Sequence, residues 1–108
     1  MNILEEIAQK TKERIEAKKK ELPLEVLKEK AQKMDANTGF PFEKALKKEG
    51  VSFICEVKKA SPSKGIIAKD FPYVEIAKAY EKEGASAISG LTEPYYFQGA
   101  DRFLEEIH

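Results

Sequence analysis

Two short apolar runs constrain the fold of this chain most strongly, because each is followed by a loop and then by a helical pattern. They cover residues 51–57 (VSFICEV) and residues 86–92 (SAISGLT). The first run is apolar on both faces except for Glu56, which is typical of a strand in a parallel sheet with helices on one side and a core on the other. Helices are predicted after the runs, from near Pro72 and from Asp101. Strand, helix, strand and helix in this order predict a parallel α/β architecture.

The N-terminal part of the chain carries helical periodicity instead of strand patterns. A first helix is predicted over residues 3–20, with Asn2 as its cap. It ends before Pro23, because proline disfavours helical geometry in the residue that precedes it, and further helices follow. We therefore divide the chain into an N-terminal helical extension, residues 1–50, and a strand–helix segment, residues 51–108.

Two parallel strands are too few for a finished domain of this class. Parallel barrels and doubly wound sheets usually have about five to eight strands. The last helical pattern stops at His108 without a glycine or asparagine to end it. The periodicity therefore predicts that the chain is truncated. Because unpaired strand edges promote association, we expect the isolated chain to be molten, aggregated or oligomeric.

Composition argues against several classes of partner. Hydrophobic residues make up 42% and charged residues 35% of the 108 residues, which supports a folded core. The 19 basic and 19 acidic residues cancel, so no overall field favours binding to nucleic acid or to an anionic membrane surface. No apolar stretch approaches the ~20 residues that span a bilayer. We therefore expect neither a nucleic-acid partner nor a membrane partner.

The single cysteine, Cys55, bears on the cellular compartment and on metal binding. One cysteine cannot form an internal disulfide, and the sequence has no CxxC motif or cysteine–histidine cluster that would hold a metal. The N-terminal residues carry acidic charge and lack the apolar segment of a signal peptide. These features favour a reduced, cytoplasmic protein without a bound metal.

Candidate chemistry lies in the loops after the two strands, where parallel α/β folds collect their functional residues. Glu56 and Lys58 are two residues apart at the end of the first strand, so alternation places both side chains on one face, ~7 Å apart by strand rise. Opposite charges hold each other ionised, and a fixed ammonium group can bind a carboxylate or donate a proton. The alternative is an exposed surface ion pair, which the apolar run before Glu56 disfavours.

Two further loop segments leave alternatives open. Residues 61–65 (SPSKG) offer serine hydroxyls and backbone N–H groups to a phosphate or a carboxylate, but they also suit a plain turn. Tyr95, Tyr96 and Phe97 lie together in the second loop, where they either cover the local core or flank an aromatic ligand. His108 is the only histidine and is assigned no role.

Two long motifs resemble those of a known enzyme family. Residues 53–65 (FICEVKKASPSKG) are similar to the first-strand signature of indole-3-glycerol phosphate synthase, and residues 85–99 (ASAISGLTEPYYFQG) are similar to its second strand and following loop. The preceding helices resemble the N-terminal extension of that family, so the resemblance covers essentially the whole chain. It implies an α/β fold in which residues 1–50 are the N-terminal helical extension and residues 51–108 are the first two βα units of an incomplete (β/α)8 TIM barrel.

The resemblance also implies an activity. The family closes the indole ring of 1-(o-carboxyphenylamino)-1-deoxyribulose 5-phosphate and releases carbon dioxide and water, giving indole-3-glycerol phosphate in tryptophan biosynthesis. It uses no metal or organic cofactor, so the small-molecule partner is the phosphorylated substrate alone. The reaction needs a general acid at a carbonyl oxygen, a cation that holds the departing carboxylate, and acid–base help for dehydration.

Carried over residue by residue, the resemblance assigns two catalytic positions. Lys58 matches the lysine that contacts the substrate carboxylate, and Glu56 matches the glutamate that orients the catalytic lysines and supports proton transfer. Five further residues match positions that line the substrate: Ser61 and Pro62 at its anthranilate end, Ser89 and Leu91 on the inward face of the second strand, and Phe97 in the aromatic wall of the anthranilate pocket. Under the resemblance, the aromatic loop therefore has a ligand-binding role.

Two departures from the family pattern bear on what this chain does alone. The family's principal general acid is a lysine on the third strand, beyond His108, so we expect the isolated chain to be inactive. The alternative function is a non-catalytic half-barrel module that assembles with a complementary C-terminal fragment or with a second copy of itself.

Gly90 is the second departure. It stands where the family usually has a larger apolar residue, on the side expected to face the helices, and glycine in a strand costs ~0.5–1 kcal/mol relative to alanine.

Overall fold

The computed structural model describes residues 2–108 and divides the chain into two compact units. The first unit ends at Gly39 and contains two helices, α1 (Ile3–Glu21) and α2 (Leu24–Lys33). The helices of the second unit, which runs from Phe40 to His108, are α3 (Pro41–Leu46), α4 (Tyr73–Lys82) and α5 (Asp101–Ile107). Its strands are β1 (Ile54–Val57), β2 (Ala60–Ser61), β3 (Gly65–Ile66) and β4 (Ala87–Gly90).

Helix α1 begins at Ile3, and Asn2 is its N-cap, as predicted. The Asn2 side-chain oxygen accepts a hydrogen bond from the Glu5 backbone N–H at 2.8 Å, and the Glu5 carboxylate accepts one from the Asn2 backbone N–H at 3.3 Å. Three lysines in the last turn, residues 18–20, complement the negative end of the helix dipole. The helix ends at Glu21, ahead of Pro23, which confirms the predicted break.

The helices of the first unit leave apolar side chains exposed. Among the residues that the structure describes, none in α1 or α2 is buried. Leu24, Leu27 and Met34, which recur at helical spacing, are 52%, 48% and 74% exposed. Periodicity therefore predicted the helices correctly, but the apolar side chains of this face are exposed to solvent. None of the helices formed by residues 2–108 is both long and apolar enough to cross a membrane.

Strands β1 and β4 pair in parallel, which confirms the predicted parallel α/β arrangement. Glu56 lies opposite Ser89, and Val57 lies opposite Gly90. Helix α4 lies between the two strands in the chain and packs against both, and α5 packs against α4. Both strands are shorter than the apolar runs that predicted them, because the ladder joins only four residues of each. Val51, at the start of the first run, is 82% exposed.

The core of the second unit lies between the strands and the helices. Val57 and Ala77 are buried there, as is Phe103. The Phe103 ring centroid lies 5.4 Å from that of Phe71, in an edge-to-face arrangement that aromatic pairs favour, and 4.2 Å from that of Tyr73. The three rings, from Phe71 before α4, Tyr73 at its start and Phe103 in α5, therefore pack against one another.

Gly90 faces the helices, as alternation predicted. A Cβ built on it would lie 3.7 Å from Cδ1 of Leu104 in α5. Because side chains alternate along a strand, the neighbouring Ser89 points to the opposite face, together with Glu56. The strands thus separate an apolar face, which packs on the helices, from a face that carries polar groups.

The long loop predicted between β1 and α4 contains a short antiparallel hairpin, which periodicity did not predict. Ala60 lies opposite Ile66, and Ser61 lies opposite Gly65. Gly65 adopts a φ of 65°, in the left-handed region that glycine enters at little cost, and this allows the chain to reverse. Strands of two residues are too short to show a period of two, which is why the pattern did not predict them.

Helix α3 lies in the same compact unit as the strands and contacts β4. The division drawn from the sequence assigned this helix to the N-terminal extension, residues 1–50. The compact units are defined by contacts within the chain, whereas the boundary at residue 50 separates a helical extension from a barrel. The boundary at residue 50 therefore stays a prediction.

The isolated 108-residue chain is expected to lack a cooperative, monomeric folded state. Within residues 2–108, four hydrophobic residues form the buried core, whereas seventeen large hydrophobic side chains are exposed. So little buried apolar surface does not offset the conformational entropy lost on folding. Urea unfolding followed by circular dichroism, with sedimentation at several concentrations, measures this. A sharp two-state transition from a monomer at every concentration would contradict the expectation.

Candidate functional site

The carboxyl ends of β1 and β4 bring an acid, an amine and a hydroxyl together. One oxygen of the Glu56 carboxylate lies 3.8 Å from Lys58 Nζ, and the other accepts a hydrogen bond from Ser89 Oγ at 3.4 Å. The contact with Ser89 follows from the parallel register, which sets the two residues opposite one another. Three of the residues expected at the site therefore form one connected group with Glu56 at its centre.

This group is less buried than the sequence interpretation assumed. The side chain of Glu56 is 46% exposed and that of Lys58 is 34% exposed. Water screens an ion pair at that exposure, and such pairs contribute about 0–1 kcal/mol to stability. The two charged groups lie on one face, as predicted. Both are partly exposed to solvent, however, as the alternative of an exposed ion pair expects.

Helix α4 holds the backbone of Glu56 through Tyr80, a residue to which the sequence analysis assigned no role. The Tyr80 hydroxyl donates a hydrogen bond to the Glu56 carbonyl oxygen at 3.1 Å. The two residues are 24 positions apart, so no local pattern indicates the bond. Glu56 is therefore held at its carboxylate by Ser89 and at its backbone by Tyr80.

Ser61 and Pro62, expected at the anthranilate end of the substrate, lie in the hairpin after β1. Ser61 is only 8% exposed, and its Oγ accepts a hydrogen bond from the Lys64 backbone N–H at 3.2 Å. Pro62 is exposed. The Ser61 oxygen thus stabilises a turn, in line with the plain-turn alternative, while its hydroxyl proton is still available for donation.

Leu91 and Phe97 lie near the two ends of the loop that follows β4. The Leu91 backbone N–H donates a hydrogen bond to the Val57 carbonyl oxygen at 3.2 Å and extends the pairing of the strands. Phe97 is half-buried, whereas Tyr95 in the same loop is 62% exposed. The side chain of Phe97 is therefore more buried than that of Tyr95.

A glutamate that the sequence analysis missed organises this loop. The Glu93 carboxylate accepts three backbone hydrogen bonds, from Tyr95 at 2.6 Å, Tyr96 at 2.8 Å and Phe97 at 3.2 Å. The available signal was an acceptor side chain directly before Pro94, because such side chains bind backbone N–H groups at the start of turns.

Gly99 closes the same loop against the end of β4. Its backbone N–H donates a hydrogen bond to the Glu93 carbonyl oxygen at 2.8 Å. A Cβ built on Gly99 would lie 2.7 Å from Thr92 Cα and closer still to the Leu91 carbonyl oxygen, so the approach admits only glycine. The preceding Gln98 has a φ of 51°, in the left-handed region. The side chain and the carbonyl group of Glu93 thus anchor both arms of the loop.

Chemically, the site offers one cation, one anion and hydroxyl groups. The Lys58 ammonium group can bind an anionic part of a ligand while Glu56 orients it. Across residues 2–108, no group of three or more histidine, cysteine, aspartate or glutamate side chains is placed to hold a metal ion.

Parallel strands with a helix between them define an α/β protein, and their carboxyl ends, which carry an acid and an amine here, are the edge at which such folds place their sites. A sequence model of one such family, indole-3-glycerol phosphate synthase, matches residues 4–108. The chain therefore belongs to the indole-3-glycerol phosphate synthase family. This match confirms the resemblance carried by residues 53–65 and 85–99.

Curated relatives extend well beyond the matched region. The chain is 51% identical over 105 residues to an indole-3-glycerol phosphate synthase of Ruminiclostridium cellulolyticum, covering 97% of this chain and 40% of that protein. The enzyme of the same name from Lachnoclostridium phytofermentans is 49% identical over 116 residues, covering 97% and 43%. That of Endomicrobium trichonymphae is 51% identical over 105 residues, covering 97% and 41%. The chain thus spans about two fifths of the length of these relatives.

Two glycines are expected to respond in opposite ways to alanine. Gly99→Ala should lower the free energy of unfolding by about 1–3 kcal/mol, because the added methyl group meets backbone atoms. Gly90→Ala should raise it by about 0.5–1 kcal/mol, because its Cβ would rest at an ordinary distance from Leu104. Urea unfolding of a full-length chimera, made by joining residues 1–108 to the remaining C-terminal part of the Ruminiclostridium cellulolyticum relative, measures both. Shifts of the same sign would contradict the structure.

Proposed function

We propose that this chain is the N-terminal part of an indole-3-glycerol phosphate synthase. In the whole protein, residues 1–50 form the helical extension, and residues 51–108 form the first two βα units of a (β/α)8 barrel, with β1 and β4 as neighbouring strands. The family match over residues 4–108 and the parallel register of β1 and β4 support this placement. The relatives, of which the chain covers 40% to 43%, have length enough for the remaining strands.

The proposed activity is that of a decarboxylating lyase in tryptophan biosynthesis. The whole protein closes the indole ring of 1-(o-carboxyphenylamino)-1-deoxyribulose 5-phosphate and releases carbon dioxide and water. Its partner is this phosphorylated small molecule, no cofactor takes part, and the free thiol of Cys55 fits a cytoplasmic setting. One observation carries the proposal: the Glu56 carboxylate joins Lys58 and Ser89 at the carboxyl edge of two parallel strands.

Lys58 supplies the cation in this proposal. Its ammonium group binds the substrate carboxylate that departs as carbon dioxide, and Glu56 keeps that group in position and supports proton transfer. In a closed barrel the remaining strands would cover this face and exclude water. The interaction between the two charges, weak at its exposure here, would then strengthen because the local dielectric constant falls.

The other expected residues line the substrate. Phe97 lies against the anthranilate ring, and its half-burial supports that role. Ser61 and Pro62 contact the same end of the substrate, with Ser61 contributing its hydroxyl proton because its oxygen already accepts a backbone hydrogen bond. Ser89 and Leu91 form part of the inner wall, and the contact of Ser89 with Glu56 supports its inward direction.

A second candidate function, a non-catalytic half-barrel module, is favoured by the apolar surface around β1. Val51, Phe53 and Ile54 are 82%, 61% and 55% exposed. Apolar side chains along a strand edge favour assembly with another chain, either a complementary C-terminal fragment or a second copy.

The enzyme and the non-catalytic module predict different results when the C-terminal part of a relative is added to this chain. We expect the isolated chain to be inactive and the chimera to be active, because the resemblance places the principal general acid on a third strand. Formation of the indole chromophore from the substrate measures both. Mixing the chain with the separately produced C-terminal part of the relative extends the test: activity in the mixture supports the enzyme, whereas a stable inactive complex supports the module. An active isolated chain would contradict the first expectation, and an inactive, folded chimera would contradict the second.

Lys58→Ala in the chimera should lower kcat/KM by about 10²–10³-fold, since it removes the cation that holds the departing carboxylate. Glu56→Gln should lower it in the same direction, because the neutral amide no longer fixes the ammonium group. Lys59→Ala is the matched control, since it removes the same kind of side chain at the next position, in the bend that follows β1. Equal losses for the Lys58 and Lys59 variants would contradict the assignment.

A further inference from the structure

Glu93 is not part of the group formed by Glu56, Lys58 and Ser89. Its carboxylate accepts hydrogen bonds from the backbone of its own loop. One oxygen accepts from Tyr95, and the other accepts from Tyr96 and Phe97. Hydrogen bonds to an ionised acceptor are about twice as strong as those between neutral groups. Three of them on successive residues hold residues 95–97 in a single turn.

The second arm of the loop is held just as closely. The Glu93 carbonyl oxygen accepts from the Gly99 backbone N–H at 2.8 Å, so one residue binds both sides of the segment. Gly99 has no room for a side chain, and the adjacent Gln98 adopts a positive φ. A backbone constrained in this way fixes the direction in which the Phe97 side chain leaves the chain, and so limits the positions of its ring.

We propose that Glu93 is a positioning residue, which acts on the substrate by holding Phe97 in the direction that meets the anthranilate ring. The inference rests on the proposed function and extends it to a residue outside the catalytic group. Contacts between aromatic rings depend on their relative geometry. A loop free to move would have to be ordered on binding, and Glu93 removes that cost in advance.

This role differs from that of a general acid or base. Both oxygens of Glu93 accept hydrogen bonds from backbone N–H groups, whereas those of Glu56 meet the side chains of Lys58 and Ser89. A residue that orients the binding wall changes KM more than kcat and leaves the pH profile of kcat unchanged. It also loses its effect once the ring that it orients has been removed.

The test uses the full-length chimera with Glu93→Ala, Phe97→Ala and the double variant. Glu93→Ala should raise KM about tenfold with little change in kcat, and Phe97→Ala should do the same. The double variant should be no worse than Phe97→Ala alone, because the two residues act on one contact. Glu93→Gln retains one carbonyl acceptor and should fall between the parent and Glu93→Ala. Glu105→Ala, at an exposed position on α5, is the control and should match the parent.

Hydrogen exchange of the backbone amides of residues 95–97 provides the readout that does not depend on activity. Protection should fall in Glu93→Ala and stay unchanged in Phe97→Ala. Unchanged exchange in Glu93→Ala, additive effects on KM, or a loss confined to kcat would each overturn the proposal. If the parent chimera is folded, protected and inactive, the proposed function itself fails, and the role of Glu93 toward a substrate falls with it.

Discussion

The parallel pairing of β1 with β4 is the constraint on which the rest of the second unit depends. Because side chains alternate along a strand, the register sends Glu56 and Ser89 to one face and Val57 and Gly90 to the other. A slip of one residue would exchange the two faces and set the Glu56 carboxylate against the helices. The apolar core and the polar group at the site are therefore two consequences of the same ladder.

The sheet is covered on one side only, and this explains the solvation of the site. Val57 is buried against the helices together with Phe103, whereas Ile54, on the other face of β1, is 55% exposed. In a (β/α)8 barrel that second face is filled by side chains from the other strands. The ion pair between Glu56 and Lys58 is partly exposed for the same reason as Ile54, since both lie on the face that additional strands would cover.

Two glutamates of this unit illustrate how environment separates the roles of identical side chains. Glu56 contacts an ammonium group and a hydroxyl, which leaves it suited to orienting a cation. The Glu93 carboxylate accepts hydrogen bonds from three backbone N–H groups and shapes a loop. The second arrangement spans only two to four residues and was therefore within reach of sequence reasoning. Its signal, one acceptor side chain before Pro94, is weaker than that of the three aromatic residues after Pro94.

The sequence by itself determined the features that depend on near neighbours along the chain. The cap at Asn2, the break before Pro23 and the shared face of Glu56 and Lys58 all follow from backbone geometry within a few residues, and two long motifs identified the family. Only the tertiary structure decided that the Glu56 carboxylate meets Ser89 and that Tyr80 holds its carbonyl group. These contacts join residues 33 and 24 positions apart, and the periodicity of a single helix or strand gives no information about contacts between residues so far apart in sequence. The tertiary structure also decided how far Glu56 and Lys58 are buried. The exposure of a side chain depends on the elements that cover its face of the sheet and not on its own strand alone.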